Sequence, residues 1–296
     1  MLAGIELGGT KIVCLVGAGP DDVVDEERIE TRDPGTTLAE VRRFLERHAP
    51  AAIGIASFGP VELRPSHPEY GHITRTTKPG WSGTDVIRGI TGGNDVPVGF
   101  QTDVNGAALG EGRWGAATGL DSFVYVTVGT GIGGGVVSGG RLVGGLGHTE
   151  LGHVPVPRHP ADDFGGCCPF HRDCFEGMAC GPAFTARLGV RLEEAGEAER
   201  LRACELASWY LAAAFRGFVY SFAPERIVVG GGVASLPGLL EAVGEHLVEQ
   251  LAGYPGLPEH AAAGFVTAPG LGGRAGSLGA LVLAERALHA GRRAPY

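Results

Sequence analysis

Leu2-Ala3-Gly4-Ile5-Glu6-Leu7-Gly8-Gly9-Thr10-Lys11-Ile12-Val13-Cys14-Leu15-Val16-Gly17 is two short apolar runs joined by a glycine-bearing turn. That pattern predicts a β-hairpin. The same composition returns at Phe123–Val128, Gly129-Thr130-Gly131-Ile132-Gly133-Gly134-Gly135 and Val136–Ser138. The echo predicts two related halves, each opening on a hairpin. Backbone N–H groups in such a turn can face a phosphate, because no side chain blocks the approach. Lys11 adds a cation, Thr130 a hydroxyl, and Glu6 a carboxylate that could hold hydrated Mg²⁺. The G-x-x-x-x-G-K-[ST] spacing is absent, so neither turn is a P-loop. Two ordinary hairpin turns are the plainer alternative, and the repetition favours a clamp on a polyphosphate.

Outward from these hairpins the chain alternates strands and helices. Thr37–His48 carries Leu38, Val41, Phe44 and Leu45 at helical spacing. Ala51–Ala56 and Val96–Gln101 read as strands, with a long polar loop from Glu62 to Gly83 between them. Val104–Trp114 reads as a helix beginning after Asp103. A long apolar helix from Glu205 to Phe222 leads to strand Arg226–Val229 and a third glycine turn, Gly230-Gly231-Gly232. A fourth glycine cluster, Gly270 to Gly276, precedes a closing helix of about Ser277–Ala290. We expect one domain over 1–115 plus about 277–296, and a larger one over 116–276.

Composition narrows the function. The length of 296 residues is near twice a common domain size of about 150. A hydrophobic content of 44% and mean hydropathy of +0.10 allow a sizeable core. The net charge of −9 argues against nucleic acid or anionic lipid as the main partner. Lys11 and Lys78 are the two lysines among 24 basic side chains, the rest being arginine. No apolar run is long enough for a membrane span, and the N-terminus lacks the basic and apolar regions of a signal peptide. A cytoplasmic protein is the expectation, and its six cysteines then suggest a metal site or isolated thiols.

Asp103 stands between a strand end and a helix start, in Gln101-Thr102-Asp103-Val104-Asn105. It could cap the helix. It could also be a general base for a sugar hydroxyl, pointing from the strand end into a cleft between lobes. Asn105 could position a hydroxyl or stabilise the helix start.

Cys168-Pro169-Phe170-His171-Arg172-Asp173-Cys174 spaces three metal ligands at steps of three. His153, in Glu150-Leu151-Gly152-His153, completes two thiolates and two imidazoles, a closed tetrahedral set suited to structural Zn²⁺. His159 rivals His153, and Cys167 rivals Cys168. Glu150 and Glu176 flank the segment and could bind a polyhydroxylated ligand, or simply be solvated.

Glu6-x-Gly-Gly-Thr-Lys, Asp103-Val-Asn, Gly129-Thr-Gly-Ile-Gly-Gly-Gly, Glu150-Leu-Gly-His153, the Cys/His cluster through Glu176, and Gly230-Gly-Gly-Val together resemble the ROK family of bacterial sugar kinases and repressors. The segment from Val154 to Gly177 looks like its fructokinase branch. The resemblance runs from about residue 2 to residue 285. It implies an α/β actin-like (ribonuclease H-like) ATPase fold with two lobes around a cleft, and an ATP-dependent fructokinase. It also implies Asp103 as catalytic base, with Asn105, Glu150, His153 and Glu176 toward the sugar. The implied zinc ligands are His153, Cys168, His171 and Cys174. Gly8, Gly9, Thr10, Lys11, Thr130 and Gly131 would hold phosphates. Pro182, Gly230, Gly231, Gly232, Val233 and Ala234 would line the adenosine side. Mg²⁺ would come with the nucleotide, and a homodimer is the family expectation.

Three departures stand out. Glu6 replaces an aspartate common in the family, Thr102 replaces a frequent asparagine, and His171 replaces a cysteine, as in the fructokinase branch. Strand one begins at residue 2, so no room is expected for the DNA-binding module of the repressors. The competing readings are a broader hexose kinase acting on glucose or mannose, and a non-catalytic sugar sensor.

Overall fold

The computed structural model describes residues 1–291. Ten strands and eight helices follow in chain order: β1 (Leu2–Leu7), β2 (Lys11–Gly19), β3 (Asp22–Glu30), α1 (Pro34–His48), β4 (Ala52–Ser57), α2 (Val86–Thr91), β5 (Val98–Thr102), α3 (Asp103–Trp114), β6 (Phe123–Val128), β7 (Ile132–Ser138), β8 (Arg141–Leu142), α4 (Phe175–Ala179), α5 (Gly181–Leu188), α6 (Glu197–Phe222), β9 (Arg226–Gly230), α7 (Leu239–Leu251), β10 (Val266–Thr267) and α8 (Ala275–Gly291). The chain divides into two compact units. Among the described residues, the first takes 1–118, 144–148 and 274–291, and the second takes 119–143 and 149–273. Among the described residues no helix is long and apolar enough to cross a membrane.

Each unit is built on a five-stranded sheet, and the two sheets have the same order. The first runs β3-β2-β1-β4-β5 and the second β8-β7-β6-β9-β10. In each, the outer pair is antiparallel and the inner strand pairs in parallel with the next. The echo between the two glycine hairpins is thus a repeated topology. This is the α/β actin-like ATPase architecture.

Strand β4, paired in parallel on both sides, is buried on both faces and so reads as a nearly unbroken apolar run. Every residue of β4 is buried. Strand β3 had no such signal: Asp22-Val-Val-Asp-Glu-Glu-Arg-Ile-Glu30 is mostly charged. It is an edge strand, where charge blocks pairing with another chain. Its one fully turned-in apolar side chain is Ile29.

Helix α8 lies against the parallel strands through glycine. Gly4, Gly54 and Gly99 are direct register partners across β1, β4 and β5. A Cβ on them would collide with the carbonyl oxygens of Ser277, Ala280 and Leu283. Backbone therefore packs on backbone, which no bulkier residue permits. In the second unit α6 and α7 cover the sheet, with Tyr210, Phe215 and Phe175 fully buried among them.

Candidate active site and metal centre

The parallel strands of the first sheet end together: Leu7 pairs with Ser57, and Ser57 with Thr102. The Gly8 turn and Asp103 therefore leave from one edge, the carboxyl edge where open α/β sheets bind ligands. The turn is tight, Gly8 N–H donating to Lys11 O at 3.0 Å. Thr31 holds it from beside, its hydroxyl donating to Gly8 O at 2.8 Å.

Helix α3 starts at Asp103, and its cap is Thr102. The Thr102 hydroxyl accepts from Asn105 N–H at 3.1 Å. The N-cap position thus belongs to Thr102 and not to Asp103, which stands one residue inside the helix. Asp103 is half-buried at the first helical position and accepts from its neighbour Val104 N–H at 2.8 Å. Asn105 is buried at 2% exposure, and its amide donates to Gln101 Oε1 at 2.8 Å. In this geometry it ties the helix start to the strand end.

Glu6 lies beneath this edge. Burial, and next the negative charge of Asp103, push its carboxyl up to about 7, against smaller opposing effects of the Ser277 amide and Lys11. Its Oε2 is buried without a hydrogen-bond partner. The extra methylene relative to an aspartate fits because residue 276 is glycine, whose Cβ would strike the carboxylate. A folded-state value above the ordinary 4.5 means that this group's contribution is most favourable below pH 4.5 and is lost as pH rises to 7. The shift corresponds to about 3 kcal/mol. Glu6→Gln should accordingly raise the denaturation midpoint at pH 8 in Mg²⁺-free buffer and leave it nearly unchanged at pH 4.5. A variant no more stable than the parent at pH 8 would contradict this.

In the second unit, Thr127 of β6 pairs with Gly230 of β9, so two glycine turns share one edge. Gly129 N–H donates to Gly131 O at 2.9 Å, and Gly181, opening α5, donates to Gly129 O at 2.7 Å. Gly231 has φ +94°, and any Cβ there would meet the backbone of Val128. Pro182, Gly231 and Gly232 are exposed, Ala234 is half-buried and Gly230 is buried. Val233 packs into the core at 2% exposure, so only its backbone can face a ligand.

The four nominated metal ligands come together. One donor atom from each of His153, Cys168, His171 and Cys174 lies within 4.8 Å of the others. Cys168 Sγ is 3.8 Å from His153 Nδ1 and 3.9 Å from His171 Nδ1, and Cys174 Sγ is 3.6 Å from His153 Nδ1. Zinc bonded tetrahedrally to sulfur and nitrogen requires about 3.6 Å between such atoms. Donor chemistry and spacing both fit Zn²⁺. The rivals are elsewhere: His159 packs its ring on Trp209 with 5.1 Å between centroids, and Cys167 Sγ faces Cys180 Sγ at 3.7 Å.

Local geometry explains the cluster. Cys168 and Arg172 exchange backbone hydrogen bonds at 3.0 and 3.1 Å, folding the segment into a knuckle, and Phe175 N–H donates to Val154 O at 2.9 Å. Upstream, a buried ion pair anchors the connecting loop. Arg187 donates to Asp162 at 2.7 and 3.2 Å, and the Tyr210 hydroxyl donates to the same carboxylate at 2.7 Å. Burial raises the Asp162 value, but Arg187 and Tyr210 outweigh it and hold the carboxyl below its ordinary range. The anchor left no periodic trace in the sequence.

Glu176, on α4 just after the knuckle, accepts from Ile132 N–H at 2.9 Å through Oε2. The same oxygen would be 2.8 Å from a Cβ on Gly131. The carboxylate thus joins the segment that carries the Cys/His cluster to the glycine hairpin. Glu150 is exposed at the start of the turn that carries His153.

Residues 2–287 match the ROK family. The chain belongs to the ROK family. This ROK protein is 43% identical to a fructokinase of Zymomonas mobilis, over 95% of each chain. It is 38% identical to a fructokinase of Pediococcus pentosaceus, over 97% of this chain and 99% of that one. Among solved structures it is similar to a ROK hexokinase from Thermus thermophilus, with TM-score 0.77, 30% identity, and coverage of 98% and 99%.

Proposed function

We propose that this ROK protein is a fructokinase that transfers the terminal phosphoryl group of ATP to the 6-hydroxyl of fructose, giving fructose 6-phosphate and ADP. It is a sugar kinase by the company of its relatives, which are fructokinases along nearly their whole length. The observation that carries the mechanism is Asp103 at the first position of α3, beside the Gly8 turn at the carboxyl edge of the sheet, with Thr102 as the N-cap. As the sugar oxygen bonds to phosphorus, its proton passes to the Asp103 carboxylate and the bond to the β-phosphate oxygen breaks. Phosphoryl transfer needs little covalent work from protein, so positioning and charge do the rest.

The backbone amides of the turn at Gly8–Lys11 are proposed phosphate ligands, as are those at Thr130-Gly131. Pro182 and the Gly230–Ala234 turn are proposed for the adenosine side. Glu150, His153 and Glu176 are proposed partners of sugar hydroxyls, and Asn105 supports the helix start beside the base. Mg²⁺, when bound with the nucleotide, neutralises charge on the phosphate oxygens. Zn²⁺ on His153, Cys168, His171 and Cys174 has no open position for chemistry and would serve structure alone.

The test is a coupled ADP assay of the purified protein with fructose, glucose and mannose at millimolar concentration. Fructose should give the highest kcat/KM. No ADP formation with any of the three would overturn the assignment. A ranking led by glucose or mannose would instead support a broader hexose kinase, a reading favoured by the likeness to the Thermus thermophilus hexokinase.

A further inference from the structure

Two lysines occur among the chain's 24 basic side chains, one within the Gly8–Lys11 turn and the other reaching it from a separate loop. Lys11 closes the turn, its carbonyl accepting from Gly8 N–H. Lys78, far away in sequence, sends its ammonium to the same turn, donating to Gly9 O at 2.5 Å. Arginine, by contrast, is used against carboxylates: Arg32 with Glu40, Arg64 with Glu62, Arg187 with Asp162. Among the described residues the Lys78 ammonium has no partner besides Gly9 O, and no carboxylate neutralises it. An ammonium offers three donors, so two remain for a ligand.

The loop that carries Lys78 is well anchored. Trp81 is fully buried and its indole N–H donates to Arg32 O at 2.9 Å. Trp81 N–H donates to Lys78 O at 3.3 Å, and Lys78 N–H to the Thr76 hydroxyl at 3.3 Å. Gly9 itself is exposed, and a Cβ there would meet nothing within 4 Å, which leaves room beside the turn. A lone, half-buried cation held against an open glycine turn is poised for an anion. Where a chain otherwise chooses arginine, a compact charge with rotatable donors suits the oxygens of a phosphoryl group.

We propose that Lys78 binds the transferred phosphoryl group at the Gly8–Lys11 turn, acting with Lys11 as a second cation, so that the loop around Thr76–Trp81 is a phosphate-binding element. This rests on the kinase reading. No bond forms to Lys78: it stays protonated and neutralises phosphoryl oxygens before and after transfer.

The test is calorimetric titration with Mg-ATP and Mg-ADP, without sugar, of the wild type, Lys78→Met and Lys78→Arg. Losing hydrogen bonds to a charged group should weaken ATP binding roughly 10- to 100-fold in Lys78→Met. ADP, which lacks the transferred group, should bind within about threefold of wild type, and Lys78→Arg should recover part of the ATP loss. ATP affinity unchanged in Lys78→Met would overturn the proposal. So would equal losses for ATP and ADP with a lowered melting temperature, which mark a merely loop-holding role. Because sugar is absent, a wrong choice of hexose does not touch this result, whereas a wild type that binds no ATP would sink the kinase reading itself.

Discussion

Asp103→Asn is expected to lower kcat by roughly 10²- to 10⁴-fold, the range set by removal of a general base. The substitution keeps the side-chain volume and an oxygen that can accept from Val104 N–H, so α3 should start where it does now. The Thr102 cap is untouched. What disappears is the basic carboxylate, equivalent to about 3–5 kcal/mol of barrier. The KM for ATP should stay within about threefold, because Asp103 is not proposed to touch the nucleotide. Glu6 supplies an internal control: with the negative charge at 103 gone, one of the two causes that raise its carboxyl disappears, and its value should fall. Turnover within tenfold of wild type would show that another group takes the proton.

The second large effect concerns the metal. Helix α4 has five residues and no side-chain cap, far below the length at which a helix stands alone. Its N-cap is Cys174, one of the four proposed ligands. Cross-linking Cys174 to His153, Cys168 and His171 would therefore hold in place a segment that its own backbone cannot. Removing zinc with a strong chelator, or replacing Cys174 by Ser, is expected to lower the melting temperature by on the order of 10 °C, several kcal/mol spread over a unit of this size. Because Glu176 reaches Ile132 N–H and Gly181 reaches Gly129 O, ATP and sugar affinity should weaken with it. Scanning calorimetry with elemental analysis checks both. Protein shown to lack zinc, yet melting and binding as before chelation, would refute the structural role.

Much of the architecture could be read from composition along the chain. The repeated glycine hairpin announced two like halves, and both sheets have one strand order. Apolar runs mark β1, β4, β5, β6 and β9, whereas the two residues of β10 are too few to mark a strand. Segments whose residues are chosen by an exposed face were invisible. Strand β3 is charged because it is an edge; α7, by contrast, does carry a helical period, with Leu239, Val243, Leu247 and Leu251 at steps of four. The short α4 and α5 carry too few turns to show a period.

Residue types and spacings alone nominated a base, phosphate turns and a thiolate–imidazole cluster, since that chemistry depends on which groups exist. Choosing among neighbours needed three dimensions. Only the folded chain decides that Thr102 caps α3 and Asp103 does not, because capping depends on where one hydroxyl meets one amide. Only the knuckle between Cys168 and Arg172 brings Cys168 to the cluster and turns Cys167 toward Cys180, and only the turn before Val154 selects His153 over His159. Lys78 joining Gly9 lay beyond any local pattern, since a contact across that much chain is set by the packing of Trp81 and leaves no period in the sequence.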